Sequence, residues 1–259
     1  MVRKVKGSLR HLRRSTSPSF WPILRKEYVW TVKPNPGPHP LAKCIPLGIV
    51  IRDVLRYALT MREARRILNE RKVMVDGRVV TDYKFPVGLM DVIHIIPTGE
   101  YFRVVPHPTK YLVLHPIDEE EAKFKPLRIK RKVTIKGGHI QLTFHDGRNH
   151  IIRVKDPFNP EEAAAFSTYD TVKMAIPKQE ILDHIKLEVG VLALVIDGSN
   201  VGFLGRIVSI KQIFKRSRAL VTLRSESGAE VRTILDYVFA IGRDKPMISL
   251  PEEVLSYAG

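Results

Sequence analysis

Apolar positions change their period along this chain, and the changes divide it. In "GIVIRDVLRYAL" a helical period puts Ile49, Ile51, Val54, Leu55 and Ala58 largely on one side. Thr60 with Glu63 three residues later reads as a capping box that starts a second helix. On that helix Met61, Ala64, Ile67 and Leu68 fall within about a third of the circumference. "VMVDGRVV" is then two short β runs around Asp76-Gly77, the strongest short-range hairpin signal. A last β run, "DVIHII", follows a turn at Gly88. The predicted order is helix, helix, hairpin, strand.

Alternation of period two takes over afterwards. "KVTIKGGHIQLTF" predicts a hairpin about Gly137-Gly138, and "QLTFHDGRNHIIRV" another about Asp146-Gly147. "PFNPEEAA" reads as a loop, and residues 176–187 leave strands and a short helix both open. "VLALVIDGSNVGFLGRIVSI" and "ALVTLRSESGAEVRTI" alternate again, the latter with Ser227-Gly228 near its turn. Short strands at this spacing, with no helix between them, predict a small barrel. At the other end, "KPNPGPHP" holds too many prolines for helix or central strand. The expected fold class is multidomain α+β. It comprises an arm (1–42), a helix-helix-hairpin module (43–100), a central β-rich domain (101–185) and a small β-barrel with a tail (186–259).

Charge changes the picture from fold to partner. Forty-three Lys and Arg stand against 27 Asp and Glu in 259 residues, a net +16 that attracts polyanions, nucleic acid above all. No apolar run approaches membrane-spanning length, and the basic N-terminus lacks the apolar core of a secretory signal. Cys44 is the only cysteine, so no internal disulfide or cysteine-based zinc site can form. A cytoplasmic protein without metal is expected.

The basic residues are placed unevenly. The arm has nine against one acid, interleaved with Phe20, Trp21, Tyr28 and Trp30. Tryptophans are rare in purely solvated tails, so the arm is expected to be ordered against a partner or the rest of the protein. Arg3, Lys4, Lys6, Arg10, Arg13 and Arg14 are its expected nucleic-acid contacts, with Trp21 and Trp30 packing on bases, sugars or neighbouring protein. Residues 46–259 are expected to fold without residues 1–30. On the second helix Arg62, Arg65, Arg66 and Asn69 form the polar face, while Arg71 points elsewhere and Lys72 leads into the hairpin. Arg62 and Arg66 stack at i,i+4, which costs a few tenths of a kcal/mol. A solvated, solubilising face would not require this; phosphate binding would, because the guanidinium fork donates two parallel hydrogen bonds. Seven Lys or Arg between 123 and 136 make another basic strip.

Other chemistries find less support. Gly198, Gly202 and Gly205 fit neither phosphate-loop spacing, and a strand rather than a helix follows them. His139, His145 and His150 lack companions at metal-ligand spacing. The run Glu119 to Glu121 reads as a solvated loop or helix start. No catalytic triad can be argued, and neither catalytic residue, cofactor nor small-molecule substrate is expected.

"TMREARRILNERKVMVDGRVVTDYKFPVGLMDVIHI" resembles the alpha-L RNA-binding motif of ribosomal proteins, some pseudouridine synthases and some tyrosyl-tRNA synthetases. With "GPHPLAKCIPLGIVIRDVLRYALT", "TGEYFRV", "EEAKFK", "DGSNVGFLGRI" and "VFAIGRDKPMISLP", nearly the whole chain resembles the eukaryotic and archaeal family of small-subunit ribosomal protein number four. The segment 198–207 then looks like a KOW motif, so the C-terminal barrel is expected to be of KOW type. The resemblance implies a non-catalytic constituent of the small subunit, one copy each, without homo-oligomers or membrane contact. Its implied partners are small-subunit ribosomal RNA and neighbouring ribosomal proteins. RNA binding is expected at Arg62, Arg65, Arg66, Arg71 and Lys72, and at Asn200 and Arg206 in the glycine loop. The chain stops at Gly259 soon after "SLP", where eukaryotic relatives carry a further basic tail, which favours an archaeal form. The alternatives are a free RNA-binding factor or chaperone, and an RNA-modifying enzyme. "DGRNHIIRV" faintly resembles a pseudouridine-synthase string, but the Arg-Leu-Asp context of that catalytic aspartate is missing.

Overall fold

A computed structural model describes residues 10–156, 161–212 and 215–256. Arg3, Lys4 and Lys6 lie outside the described residues. The chain forms two compact units. The first takes in the described residues up to Val73 together with Val79–Gly88, so the described part of the arm shares a unit with the two helices.

Within the first unit, Leu12–Arg13 pairs antiparallel with Trp30–Thr31, and Cys44–Pro46 with Pro86–Gly88. Cys44, Leu47, Ile49, Val50, Ile51, Ala64, Leu68, Val73 and Val87 are buried. Trp21 is buried as well, and its indole N–H donates to the Cys44 carbonyl at 2.7 Å. This side chain therefore belongs to the protein's own core, which corrects the expectation that Trp21 packs on bases, sugars or neighbouring protein. Removal of residues 1–30 would take this hydrogen bond with it.

The second helix runs Met61–Asn69 with its capping box in place. The first is shorter than its pattern predicts. Leu47–Ile49 is α-helical, Val50–Val54 is a π-helical turn, and the helix ends there. Leu55 N–H reaches back to the Val50 carbonyl and Tyr57 N–H to that of Ile51, widening the last turn. Arg56 then takes φ +60° and reverses the chain. The amides of Leu59 and Thr60 bond the Glu63 carboxylate instead of an earlier carbonyl. The second helix's cap thus takes the donors with which the first would have continued. Gly88 is not the turn before "DVIHII": it lies in a strand, against the His39 ring, where a Cβ would sit 2.3 Å from Cγ. The turn is at Leu89 and Met90, the latter at φ +65°.

The second unit comprises Met74–Arg78 and Leu89 onward, and holds three five-stranded sheets. Asp76 and Gly77 both have positive φ, as a tight hairpin turn needs. The first sheet runs Arg78–Val79, Val73–Val75, Val92–Ile95, Glu100–His107, Tyr111–Ile117. The second runs Asn149–Ile152, Ile140–Phe144, Phe124–Thr134, Thr171–Ala175, Ile181–Ile185, with both predicted glycine turns present. Of the expected loop 157–164, residues 157–160 lie outside the described residues, and Glu161–Ala164 is a short helix. The third sheet runs Glu230–Ile234, Leu220–Arg224, Leu204–Lys211, Leu192–Val195, Val238–Gly242. Its last two strands are buried along their whole length. Apolar clusters cover each face, Ala193 and Val195 on one side and Leu192 and Leu194 on the other.

At the centre of this unit Lys125 is completely buried. Its ammonium lies 2.8 Å from Asp76, 2.5 Å from Asp91 and 3.2 Å from Asp146. Arg148 reaches Asp76 at 2.5 Å and Asp146 at 3.0 Å, so three carboxylates share two cations. Burial alone would lower the Lys125 pKa; the carboxylates outweigh it and raise the value above the usual lysine range. Burial likewise opposes ionisation of Asp146, but Lys125 and its other neighbours hold it below the ordinary carboxylate value.

Candidate nucleic-acid interface

The helix Met61–Asn69 owes its orientation to its start. Glu63 N–H donates to Thr60 Oγ1 at 3.3 Å, while the Glu63 carboxylate accepts from the Thr60 amide at 3.3 Å and the Leu59 amide at 2.8 Å. Those donors, Leu59's first, lower the Glu63 pKa. With the first turn fixed, Ala64 and Leu68 face the core, and Arg62, Arg65, Arg66 and Asn69 face solvent.

The arginines on this face have different commitments. Arg62 is exposed, and its guanidinium has no partner among the described residues. Arg65 lies 4.0 Å from the Tyr83 ring centroid, a cation–π stack that orients the guanidinium. Arg66 bonds Glu70 at 2.9 Å, one turn on, and Lys72 bonds the same carboxylate at 2.5 Å. These two cations lower the Glu70 pKa, Lys72 contributing most. The repulsion between Arg62 and Arg66 is thereby offset within the free protein. Arg71 ends the helix at φ +57°, its N–H donating to the Leu68 carbonyl at 2.9 Å. Glycine usually fills such a position, so an exposed arginine there is conformationally costly.

Residues of the arm divide between surface and interior. Arg10, Arg13 and Trp30 are exposed, with Arg13 5.7 Å from the Trp30 ring centroid. Arg14 is buried; its guanidinium donates to the Leu24 and Trp30 carbonyls and pairs with Glu27 at 3.2 Å. It is a structural residue rather than the RNA contact expected from sequence. Trp21 is removed from the surface in the same way.

Arg10, Trp30 and Arg65 line one groove of about 440 Å³, together with Tyr83 and Lys84. Neither Tyr83 nor Lys84 stood out in the sequence. The available signal was an aromatic residue beside a lysine just after the hairpin, in "VVTDYKF".

In the second unit, Asn200 is half-buried, and its carbonyl accepts from Phe203 N–H at 3.2 Å. The loop turns through Gly198 and Gly202 at φ +92° and +85°. At Gly202 a Cβ would come within 2.7 Å of Pro108. Arg206 donates to the carbonyls of Gly190, Arg243 and Asp244 at 3.2–3.3 Å, so its guanidinium clamps backbone. The strip 123–136 is no uniform basic surface. Lys125 and Arg128 are buried, and Lys132 caps the Ala163 and Phe166 carbonyls. The acidic run Glu119 to Glu121 is also less solvated than expected, because Glu121 holds Arg103 at 3.0 Å and Ser249 at 2.7 Å. His145 accepts the Arg128 amide at 3.2 Å, and His139 the Val154 amide at 3.2 Å, as structural rings.

Three family models match successive stretches: the RS4NT domain at residues 6–42, the S4 domain at 50–93 and Ribosomal family S4e at 98–181. The small ribosomal subunit protein eS4 of Aeropyrum pernix is 54% identical, covering 95% of this chain and 97% of its own. That of Ignicoccus hospitalis is 53% identical, over 96% and 98%. A crystal structure of the 30S ribosomal protein S4e from Thermoplasma acidophilum superposes with a TM-score of 0.66 at 35% identity, covering 80% of this chain and 99% of its own.

Proposed function

The chain belongs to the ribosomal S4e family, and from this we propose that it is a non-catalytic structural constituent of the small ribosomal subunit, bound to ribosomal RNA and neighbouring ribosomal proteins. The observation that carries the RNA reading is the cap-fixed helix Met61–Asn69, which presents Arg62, Arg65 and Arg66 on one face within the S4 domain match. Arg71 and Lys72, just past the helix end, are further contacts at the start of the hairpin. Contacts go mainly to phosphates and RNA shape, because an A-form duplex hides its base edges in a deep groove. Arg10, Arg13 and Trp30 of the arm add to this surface. The strands from Leu192 to Gly242 act as a KOW-type barrel whose Gly198–Gly202 loop offers Asn200 as the contact, with Arg206 holding the loop's surroundings. The protein works in the cytoplasm of an archaeal cell, one copy per subunit, without a small-molecule substrate.

Sedimentation of small subunits through high salt tests this. The protein should remain with the salt-washed particle at one copy each. Complete release into the wash would identify a free RNA-binding factor instead.

A further inference from the structure

We infer that the groove between Trp30 and the Arg65–Tyr83 stack is a receptor for a single unpaired nucleotide of RNA, with its base on the indole and its phosphate at Arg65 and Lys84. The inference rests on the RNA-binding reading above and adds a subsite to it.

Three observations carry it. The first is composition: the groove's lining includes six Lys or Arg and no acidic residue, although the chain as a whole holds 27 acids. Of the six, Arg14 and Arg52 are tied to Glu27 and Asp53 and Lys33 is engaged as well, while Arg10, Arg65 and Lys84 line the space without a carboxylate partner among the described residues. The second is an exposed aromatic surface. Trp30 is 53% exposed, which leaves aromatic surface on which a base can stack. His11 sits beside it, ring centroids 5.7 Å apart at 56°, closing one side of the indole without stacking flat on it. The third is orientation of charge. Tyr83 gathers Arg65 at 4.0 Å and Lys84 at 5.6 Å from its ring, so two cations are held at one aromatic residue of a groove that the Trp30 indole also lines. A volume of about 440 Å³ falls within the roughly 300–1,000 Å³ of small-ligand sites, which suits one nucleoside but not a stacked helix.

A flat π surface and paired cations lining one groove are what a splayed nucleotide requires: stacking for the base, charge-assisted bonds for the phosphate. A paired strand cannot enter, because its bases are stacked on their neighbours. The occupant is therefore a bulged or loop nucleotide adjoining the duplex that the helix face docks.

The test compares a short RNA duplex with the same duplex carrying one bulged adenosine, titrated against the full-length protein. The wild-type protein should prefer the bulged RNA by about tenfold, the effect of one base–aromatic stack. Trp30→Ala should remove the preference, and Trp30→Phe should keep most of it. Equal binding of both RNAs by the wild type, or a preference that survives Trp30→Ala, would overturn the receptor while leaving RNA binding intact. Failure to bind either RNA would overturn the RNA-binding reading itself.

Discussion

Lys125 and Asp76 lie 49 residues apart in sequence, yet the buried ammonium bonds the hairpin's turn carboxylate at 2.8 Å. The turn residue thus serves two ends, closing the hairpin with a positive φ and anchoring the hairpin tip in the second unit's charged centre. Removing the ammonium takes from the three carboxylates the one buried cation that they share. Lys125→Met should destabilise the second unit by about 3–5 kcal/mol in chemical denaturation, the usual effect of leaving a buried charge unpaired. Lys130→Met, on the exposed half of the same strand, should change stability by no more than about 0.5 kcal/mol.

The same cluster sets a pH dependence. The Asp146 pKa is lowered in the folded state from an ordinary 3.8, so its contribution is present above that value and lost as pH falls through the lowered one. The Lys125 pKa is raised, so its contribution is present below 10.5 and lost only as pH rises through the higher value. Denaturation curves of the wild type and Asp146→Asn should therefore differ most between these limits and converge toward acid pH.

On the helix face, Arg62 and Arg66 are expected to differ. Arg66 must leave Glu70 to meet a phosphate, whereas Arg62 has no such partner among the described residues. Either alanine variant should flatten the dependence of log affinity on log salt by roughly 0.7–0.9 for each phosphate it no longer neutralises. The affinity loss should be larger for Arg62→Ala, and Glu70→Gln should tighten RNA binding. Unchanged slopes in both variants would mean the face is merely solvated.

The two tryptophans should separate cleanly. Trp21→Ala removes a buried indole and its bond to Cys44, and should cost the first unit about 3–5 kcal/mol in thermal or chemical unfolding. Trp30→Ala should leave stability within roughly 0.5 kcal/mol, as for exposed substitutions generally.

Arg71 gives the clearest expected trade of stability against function. Arg71→Gly relieves a left-handed arginine, so the fold should be held or stabilised by up to about 1 kcal/mol. RNA affinity should fall in the same variant, measured by titration alongside the unfolding curve.

Local features were the legible ones. The Thr60–Glu63 box and the Asp76-Gly77 turn each depend on residues within three positions, so their chemistry is written in one short string. The π-helical turn was not, since the apolar pattern of residues 48–59 fits a helix of either pitch and the deciding bonds come from the next cap. Trp21 and Trp30 look alike in an arm of uniform composition, and only the partner at Cys44 distinguishes them. Lys125 stood in a run of basic residues and read as surface. Its carboxylates come from positions 21, 34 and 49 residues away, a convergence no local pattern records.

The chain has only two tryptophans, and both belong to the first unit. Its indole emission is therefore a thermometer for that unit alone, blind to the three sheets of the second. Far-ultraviolet circular dichroism, weighted by those sheets, reads the other. A single heating run followed by both signals tells whether the units melt as one cooperative body or in two steps. A fluorescence midpoint below the dichroism midpoint would identify the helix-bearing unit as the less stable one, which RNA would then be expected to hold in place.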